Sequence, residues 1–162
     1  MNDAREAGFK ISLHAAEVEN DSETIKMLNF KPDRLGHALF LNNEAKEFLS
    51  KNKIPIELCP TSNIKTLELS SYDQHPTIEL WLKNKYPISI NTDDVGVFQS
   101  NSSNEHKHVA TEFMLTNLQV CDIIKKSVDH IFLEDGPEKE CLRGNIFREC
   151  EEVLKSEEVL KS

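Results

Sequence analysis

Histidine and carboxylate side chains follow three of the short segments that the sequence predicts to be β-strands. His14 and Glu17 come at the end of the first segment, His37 at the end of the second, and Asp93 with Asp94 at the end of the fourth. Imidazole and carboxylate groups are both accepted ligands of zinc, and a carboxylate beside a metal can move a proton during hydrolysis. Each group also has an ordinary explanation when it is considered singly, such as a structural histidine or an acidic helix cap.

Alternation of apolar and polar residues predicts four strands, at about residues 10–14, 34–37, 54–59 and 88–92. Helices are predicted between them at about 22–30, 43–51 and 76–85, and three more follow at about 104–115, 119–133 and from 138 onwards. Residues 60–63 are predicted to form a turn and residues 66–74 a loop. Pro55 conflicts with its strand, because proline donates no ladder hydrogen bond. The alternation of strands and helices predicts an α/β fold with a parallel sheet.

Four strand–helix units fit either half of an eight-stranded (β/α)8 TIM-type barrel or a small open sheet. Ser12 and His14 share one face of the first strand, whereas Ile11 and Leu13 share the other, and residues 88–93 repeat this pattern. An open sheet covered by helices on both sides would be apolar on both faces. The pattern therefore favours the half barrel. In either arrangement the strands' carboxyl ends meet at one rim, where we expect the candidate residues to converge.

Composition limits the function classes. The 162 residues fit one domain, which we place at 1–150, followed at 151–162 by a solvated helical tail that repeats a six-residue sequence. The net charge of −9 argues against a nucleic-acid partner, since phosphate backbones require a basic surface. Four cysteines without regular spacing, no apolar run long enough for a membrane span and no hydrophobic signal region predict a cytoplasmic protein.

Together, the motifs are far more specific than any one of them. In chain order they are His14-Ala-Ala-Glu17, Arg34-Leu-Gly-His37-Ala38, Glu57-Leu-Cys-Pro-Thr-Ser-Asn63 and Asn91-Thr-Asp-Asp94. This order resembles the adenosine deaminase superfamily of zinc aminohydrolases, over about residues 8–132. Residues 61–66, 71–75 and 92–98 look more like the adenosine deaminase-like, N6-methyl-AMP deaminase branch. The Pro-Cys-x-x-Cys signature of zinc deaminases that act on cytosine is absent.

The resemblance implies that the chain is the C-terminal half of the barrel, with strands five to eight, their helices and further C-terminal helices. It implies that His14 and Asp93 bind one Zn2+, that Glu17 donates a proton to the purine ring as water attacks C6, that His37 orients and helps to activate that water, and that Asp94 hydrogen-bonds the purine. The implied substrate is a small-molecule purine: N6-methyl-AMP, giving IMP and methylamine, or adenosine or AMP. The family enzyme is expected to be monomeric.

The chain departs from the family pattern at the metal site. The family carries a His-x-His pair on its first barrel strand that supplies two more zinc ligands, whereas the pair of that spacing here, His106-Lys-His108, follows the last motif in a predicted helix. Catalytic zinc sites use three protein ligands and a water, so we expect the isolated chain to be incomplete and inactive. One alternative is a catalytically silent short form that binds a partner half or a full-length enzyme. Another is a different metal hydrolase on an open sheet.

Overall fold

The computed structural model describes residues 1–161, with side chains through residue 156. The strands are β1 (Ser12–Ala15), β2 (Arg34–His37), β3 (Ile56–Leu58) and β4 (Ile88–Ile90). The helices are α1 (Asn2–Glu6), α2 (Asp21–Asn29), α3 (Asn43–Asn52), α4 (Pro60–Thr66), α5 (Ile78–Lys83), α6 (Val95–Phe98), α7 (Ser102–Glu112), α8 (Asn117–Ser127) and α9 (Pro137–Lys161). Two 3₁₀ turns lie at Tyr72–Gln74 and Val128–His130. The four strands and the six helices of the prediction occur in the predicted order as β1–β4 and α2, α3, α5, α7, α8 and α9, whereas α4 and α6 are additional.

All four strands are parallel, and their order in the sheet is β1-β2-β3-β4. Each strand therefore lies beside the strand that precedes or follows it in the chain. A doubly wound open sheet would contain a point at which the strand order reverses, whereas a β/α barrel keeps the strands in sequence order. The sheet has the order of four consecutive barrel strands, as predicted.

The strand register gives the sheet one polar face and one apolar face. Polar residues and Gly36 lie opposite one another across the strands, in the pairs Ser12–Arg34, His14–Gly36, Gly36–Glu57 and Glu57–Ser89. The opposite face carries the buried apolar residues Leu35, Ile56, Leu58, Ile88 and Ile90, which belong to one core with helix residues such as Leu28, Leu49 and Ile78. Helices thus cover the apolar face, and the polar face corresponds to the inside of a barrel.

Two prolines mark where the local predictions need correction. Pro55 precedes β3 instead of lying within it, and its carbonyl accepts a hydrogen bond from the Leu35 N–H at 2.9 Å, so no ladder donor is lost. Pro60 occupies the start of α4, a position where proline is favoured because its missing N–H has no helical partner. The predicted turn at residues 60–63 is therefore the first turn of a helix.

The C-terminal half of the chain is helical. Thr116 and Gln119 form the predicted capping box at the start of α8. Helix α9 continues across residues 150 and 151 without interruption as far as Lys161. Within the predicted repeat tail at 151–162, Ser162 and the side chains of residues 157–162 lie outside the part of the chain that the structure describes. Among residues 1–161, none of the helices combines the length and apolar character that crossing a bilayer requires.

Candidate active site at the carboxyl ends of the strands

The predicted site residues lie where the strands end. His14 is the second-to-last residue of β1, His37 is the last residue of β2, and Glu17 lies two residues after β1. One carboxylate oxygen of Glu17 lies 3.4 Å from His14 Nδ1, and the other lies 3.7 Å from His37 Nε2. Glu17 therefore contacts both imidazoles, which places a carboxylate between two ring nitrogens.

His37 is at the centre of the cluster. The His14 and His37 rings meet edge to face, with centroids 4.6 Å apart. Potential ligand atoms of His14, Glu17 and His37 all lie within 4.8 Å of one another, and so do those of His37, Cys59 and Asp93. The structure thus brings His14 and Asp93 to the same rim, with His37 between them.

Asp94 lies next to Asp93 but differs in its surroundings. It immediately precedes α6 and is exposed, and within the described residues its side chain makes no capping hydrogen bond to that helix. Its carboxylate is therefore exposed beside Asp93.

The backbone adopts left-handed conformations at the strand ends. The φ angle is +56° at Ala16, +65° at His37, +51° at Ala38 and +57° at Asp93. For residues with a Cβ atom this conformation costs about 1 kcal/mol or more each, and such positions cluster at functional sites. Two of the four are predicted site residues.

Gly36 allows the His14 ring to lie across β2. A Cβ atom at Gly36 would be 2.7 Å from His14 Cδ2, which is closer than carbon atoms can approach without a shift. The His14 imidazole therefore needs a glycine at its neighbour in the sheet.

Ser62 holds the predicted metal ligand Asp93. Its hydroxyl donates to Asp93 Oδ2 at 2.7 Å from the first turn of α4. That turn is itself fixed by Glu105 of α7, a fully buried carboxylate that accepts hydrogen bonds from the Thr61 N–H at 2.9 Å and from the Ser100 hydroxyl. These roles of Ser62 and Glu105 are not visible in the sequence, because residues far apart in the chain supply the partners.

His75 is buried and supports the site through its contact with Asn63. It is 4% exposed, and its Nδ1 accepts from the Thr77 and Ile78 N–H groups at 3.3 and 3.2 Å, so it caps α5. Burial lowers the pKa of His75 to about 4, so the ring is neutral at pH 7. Its other nitrogen contacts Asn63, which in turn contacts His37.

The potential metal ligands at the rim are of the types that zinc binds. His14 offers a nitrogen ligand and Asp93 an oxygen ligand, both common for zinc. Cys59 is a poor candidate, because burial, assisted by the charges of Asp93 and Glu57, raises the pKa of its thiol to about 12 and zinc binds the thiolate. His106 and His108 lie on α7 and hydrogen-bond Ser102 or stack on Tyr72, away from this cluster.

Comparisons with known proteins agree with this arrangement. The adenosine deaminase family model matches residues 1–148. Human N6-methyl-AMP deaminase is 39% identical over 145 residues, which cover 85% of this chain and 41% of the human protein. The N6-mAMP deaminase of Arabidopsis thaliana is 38% identical over 132 residues, covering 82% of this chain and 37% of that protein. The chain thus spans about two fifths of the length of these relatives.

Solved structures give the same result for the fold. A complex of ADAL with IMP superimposes with a TM-score of 0.86 at 36% identity, covering 93% of this chain and 44% of the other. Arabidopsis ADAL with GMP gives 0.81 at 32% identity, covering 94% and 43%. An amidohydrolase from Burkholderia ambifaria with bound Zn gives 0.80 at 22% identity, covering 96% and 44%, and shows the fold alone. With the family model matched along residues 1–148 and the motifs gathered at the strands' carboxyl ends, the chain belongs to the adenosine deaminase family.

Proposed function

We propose that this chain carries the C-terminal half of a purine aminohydrolase site that acts on N6-methyl-AMP. The convergence of Glu17 with His14, His37 and Asp93 at one rim of a barrel-type sheet carries the proposal. Relatives named N6-methyl-AMP deaminase support this substrate, and the similar structure of ADAL with IMP supports the product. Adenosine or AMP is the alternative substrate, and either would release ammonia instead of methylamine.

His14 and Asp93 are the residues that would hold zinc. When bound, such an ion supplies Lewis acidity and makes a water molecule more acidic. Since catalytic zinc sites use three protein ligands, these two need further ligands from another polypeptide segment.

Glu17 is the residue that we assign to proton transfer. In the overall reaction water adds at C6, the bond from C6 to the methylamino nitrogen breaks, and methylamine leaves with the proton that its nitrogen requires. Glu17 lies close to both imidazoles. From this position it can take a proton from the attacking water and give it to the purine ring nitrogen. Asp94, exposed at the same rim, would accept a hydrogen bond from the purine.

An assay of released amines tests this function. The chain is co-expressed with the segment of human N6-methyl-AMP deaminase that precedes the region similar to this chain, supplied with Zn2+, and offered N6-methyl-AMP, AMP or adenosine. We expect methylamine from N6-methyl-AMP, with a loss of about 100-fold or more in Glu17→Gln because a general acid is removed. The control Glu47→Gln changes an exposed carboxylate that pairs with Lys51, and should keep the activity. Ammonia from adenosine alone would favour the alternative substrate, and no amine from any of the three would contradict the proposal.

A second function, binding without turnover, is favoured by the edges of the sheet. In the described part of the chain, β1 pairs only with β2 and β4 only with β3. Unpaired strand edges can add a strand from another polypeptide. A stable complex with the human enzyme or its N-terminal segment, without amine release from any substrate, would support this second function.

A further inference from the structure

A buried row of three side chains runs from the start of α5 to the centre of the site. His75 Nε2 lies 3.1 Å from Asn63 Oδ1, and Asn63 Nδ2 lies 2.9 Å from His37 Nδ1. The three residues are between 2% and 4% exposed. The row therefore lies away from water, where the direction of each hydrogen bond is decided by the protein itself.

The direction of the row follows from its first contact. The N–H groups of Thr77 and Ile78 can only donate, so the His75 Nδ1 that faces both must accept and carries no proton. The neutral ring then has its proton on Nε2 and donates to Asn63. Because this end of the Asn63 amide accepts, its oxygen faces His75 and its NH2 group faces His37. A flipped amide would set two donors against each other at His75.

The last contact decides the state of His37. An amide NH2 group can only donate, so His37 Nδ1 accepts and the proton of the neutral ring lies on Nε2. We propose that Asn63 and His75 are positioning residues that hold His37 as its Nε2–H tautomer, with the proton on the ring nitrogen that lies nearer to Glu17. The distance from His37 Nε2 to Glu17 Oε2 is 3.7 Å. The tautomer follows from the contacts alone, whereas its part in deamination rests on the function proposed above.

This tautomer gives His37 a defined task. With a proton on Nε2, the ring can orient an oxygen at the rim by donating to it, but this nitrogen is not free to take a proton from water. The Glu17 carboxylate, 3.7 Å from this nitrogen, is then the group that accepts the proton. His37 thus orients the oxygen atom, and Glu17 transfers the proton.

Nitrogen NMR of the histidine rings tests the proposal without requiring activity. The full chain is labelled with 15N-histidine, and the His37 signals are assigned from their loss in His37→Gln. We expect His37 to show a protonated Nε2 and a bare Nδ1 at neutral pH. In Asn63→Asp, a carboxylate of nearly the same shape can only accept, so the His37 proton should move to Nδ1. A wild-type ring protonated on Nδ1, or an Asn63→Asp ring still protonated on Nε2, would overturn the proposal.

Two substitutions at His75 separate its cap from its contact with Asn63. In His75→Gln, the side-chain nitrogen can take the place of Nε2 and donate to Asn63, whereas the α5 cap is lost. In His75→Asn, the side-chain oxygen can take the place of Nδ1 and cap α5, but it is too short to reach Asn63. We expect the Nε2–H tautomer of His37 to persist in the Gln variant and to give way to a mixture in the Asn variant. The same tautomer in both would show that His75 has only a structural role.

Thermal unfolding followed by circular dichroism establishes that each variant is folded before its spectrum is used. If Asn63→Asp fails to fold, the wild-type spectrum and the two His75 variants still decide the outcome. In the amine-release assay, His75→Asn should lower kcat more than it changes KM, because the substrate does not contact His75. If the tautomer is as expected but the complemented wild-type chain releases no amine from any of the three substrates, the proposed function fails and the tautomer assignment stands.

Discussion

At the scale of residues, Gly36 shows how a residue without a side chain can serve the site. Its replacement by alanine would place a methyl group 2.7 Å from His14 Cδ2, so the ring must move. The His14 side chain is 63% exposed, so it can move at little energetic cost, and the nitrogen that we propose as a zinc ligand moves with it.

For Gly36→Ala we expect zinc affinity to fall about tenfold, which is the lower range for loss of support to a ligand. The free energy of unfolding should change by about 1 kcal/mol or less. Competition with a zinc-binding dye measures the affinity, and urea titration measures the stability. Gly144→Ala is the matched control, because the site on α9 is exposed with no atom within 4 Å of the added methyl. Equal zinc affinity in wild type and Gly36→Ala would contradict the expected displacement.

The lowered pKa of His75 predicts how the free energy of unfolding depends on pH. Its pKa is lowered from 6.5 to about 4 in the folded chain because it is buried, so between these values the unfolded chain binds a proton that the folded chain does not. The stability due to this group is therefore complete above pH 6.5 and is lost as the pH falls towards 4. The total loss is on the order of 3 kcal/mol, from 1.36 kcal/mol per pKa unit.

Urea unfolding at pH 7, 6 and 5 measures this dependence, and His75→Gln supplies the comparison because glutamine does not titrate. The variant is expected to lose less stability than wild type over this range. Parallel curves for the two proteins would show that His75 is not the group responsible.

At the scale of elements, the short helix α4 carries Ser62 towards Asp93 and Asn63 towards His37. Seven residues are too few for a stable isolated helix, so α4 depends on its anchors. The principal one is Glu105, whose carboxylate accepts from the Thr61 N–H and the Ser100 hydroxyl in a fully buried position.

Glu105→Ala should lower the free energy of unfolding by about 3 kcal/mol, because two buried donors lose their acceptor and a cavity remains. Glu105→Gln keeps the shape and one acceptor oxygen, and should cost less. Glu112→Ala, at the exposed end of the same helix, is the control and should change stability by about 0.5 kcal/mol or less. These values are obtained from urea titrations. A cost for Glu105→Ala as small as that of the control would refute its role as the anchor of α4.

At the scale of the whole molecule, four consecutive strands form a sheet with a helix-covered apolar face and a polar face on which His14 is exposed. In a closed barrel the polar face would be enclosed by further strands. The chain spans 41% of human N6-methyl-AMP deaminase, so the metal site is expected to share its ligands with another segment.

We therefore expect this chain to bind Zn2+ at least about 100-fold more weakly than full-length human N6-methyl-AMP deaminase. The reason is that our proposal gives this chain two zinc ligands, whereas catalytic zinc sites use three protein ligands. Dye competition on both proteins in the same buffer provides the measurement. The Asp93→Asn variant of this chain should bind still more weakly, whereas Asp122→Asn, on the surface of α8, should bind as wild type does. Zinc affinity equal to that of the human protein would show that the ligand set is complete without another segment.

The sequence determined the sheet and the identity of the catalytic candidates. Alternation in the strands distinguished the apolar face from the polar one, because successive side chains point to opposite sides of a strand. The order of the motifs identified the family, and parallel strands required His14, His37 and Asp93 to meet at one rim. These properties are local or follow from topology.

Only the tertiary structure decided what supports those residues. Ser62 reaches Asp93, Asn63 reaches His37 and Glu105 reaches Thr61 across separations of 31, 26 and 44 residues. Asn, Ser and Glu occur commonly as caps and surface groups, so their types do not identify buried hydrogen-bond partners. The direction of the His75–Asn63–His37 row likewise depends on two backbone N–H groups at the start of α5, and a hydrogen bond exists only once the folded chain brings donor and acceptor within reach.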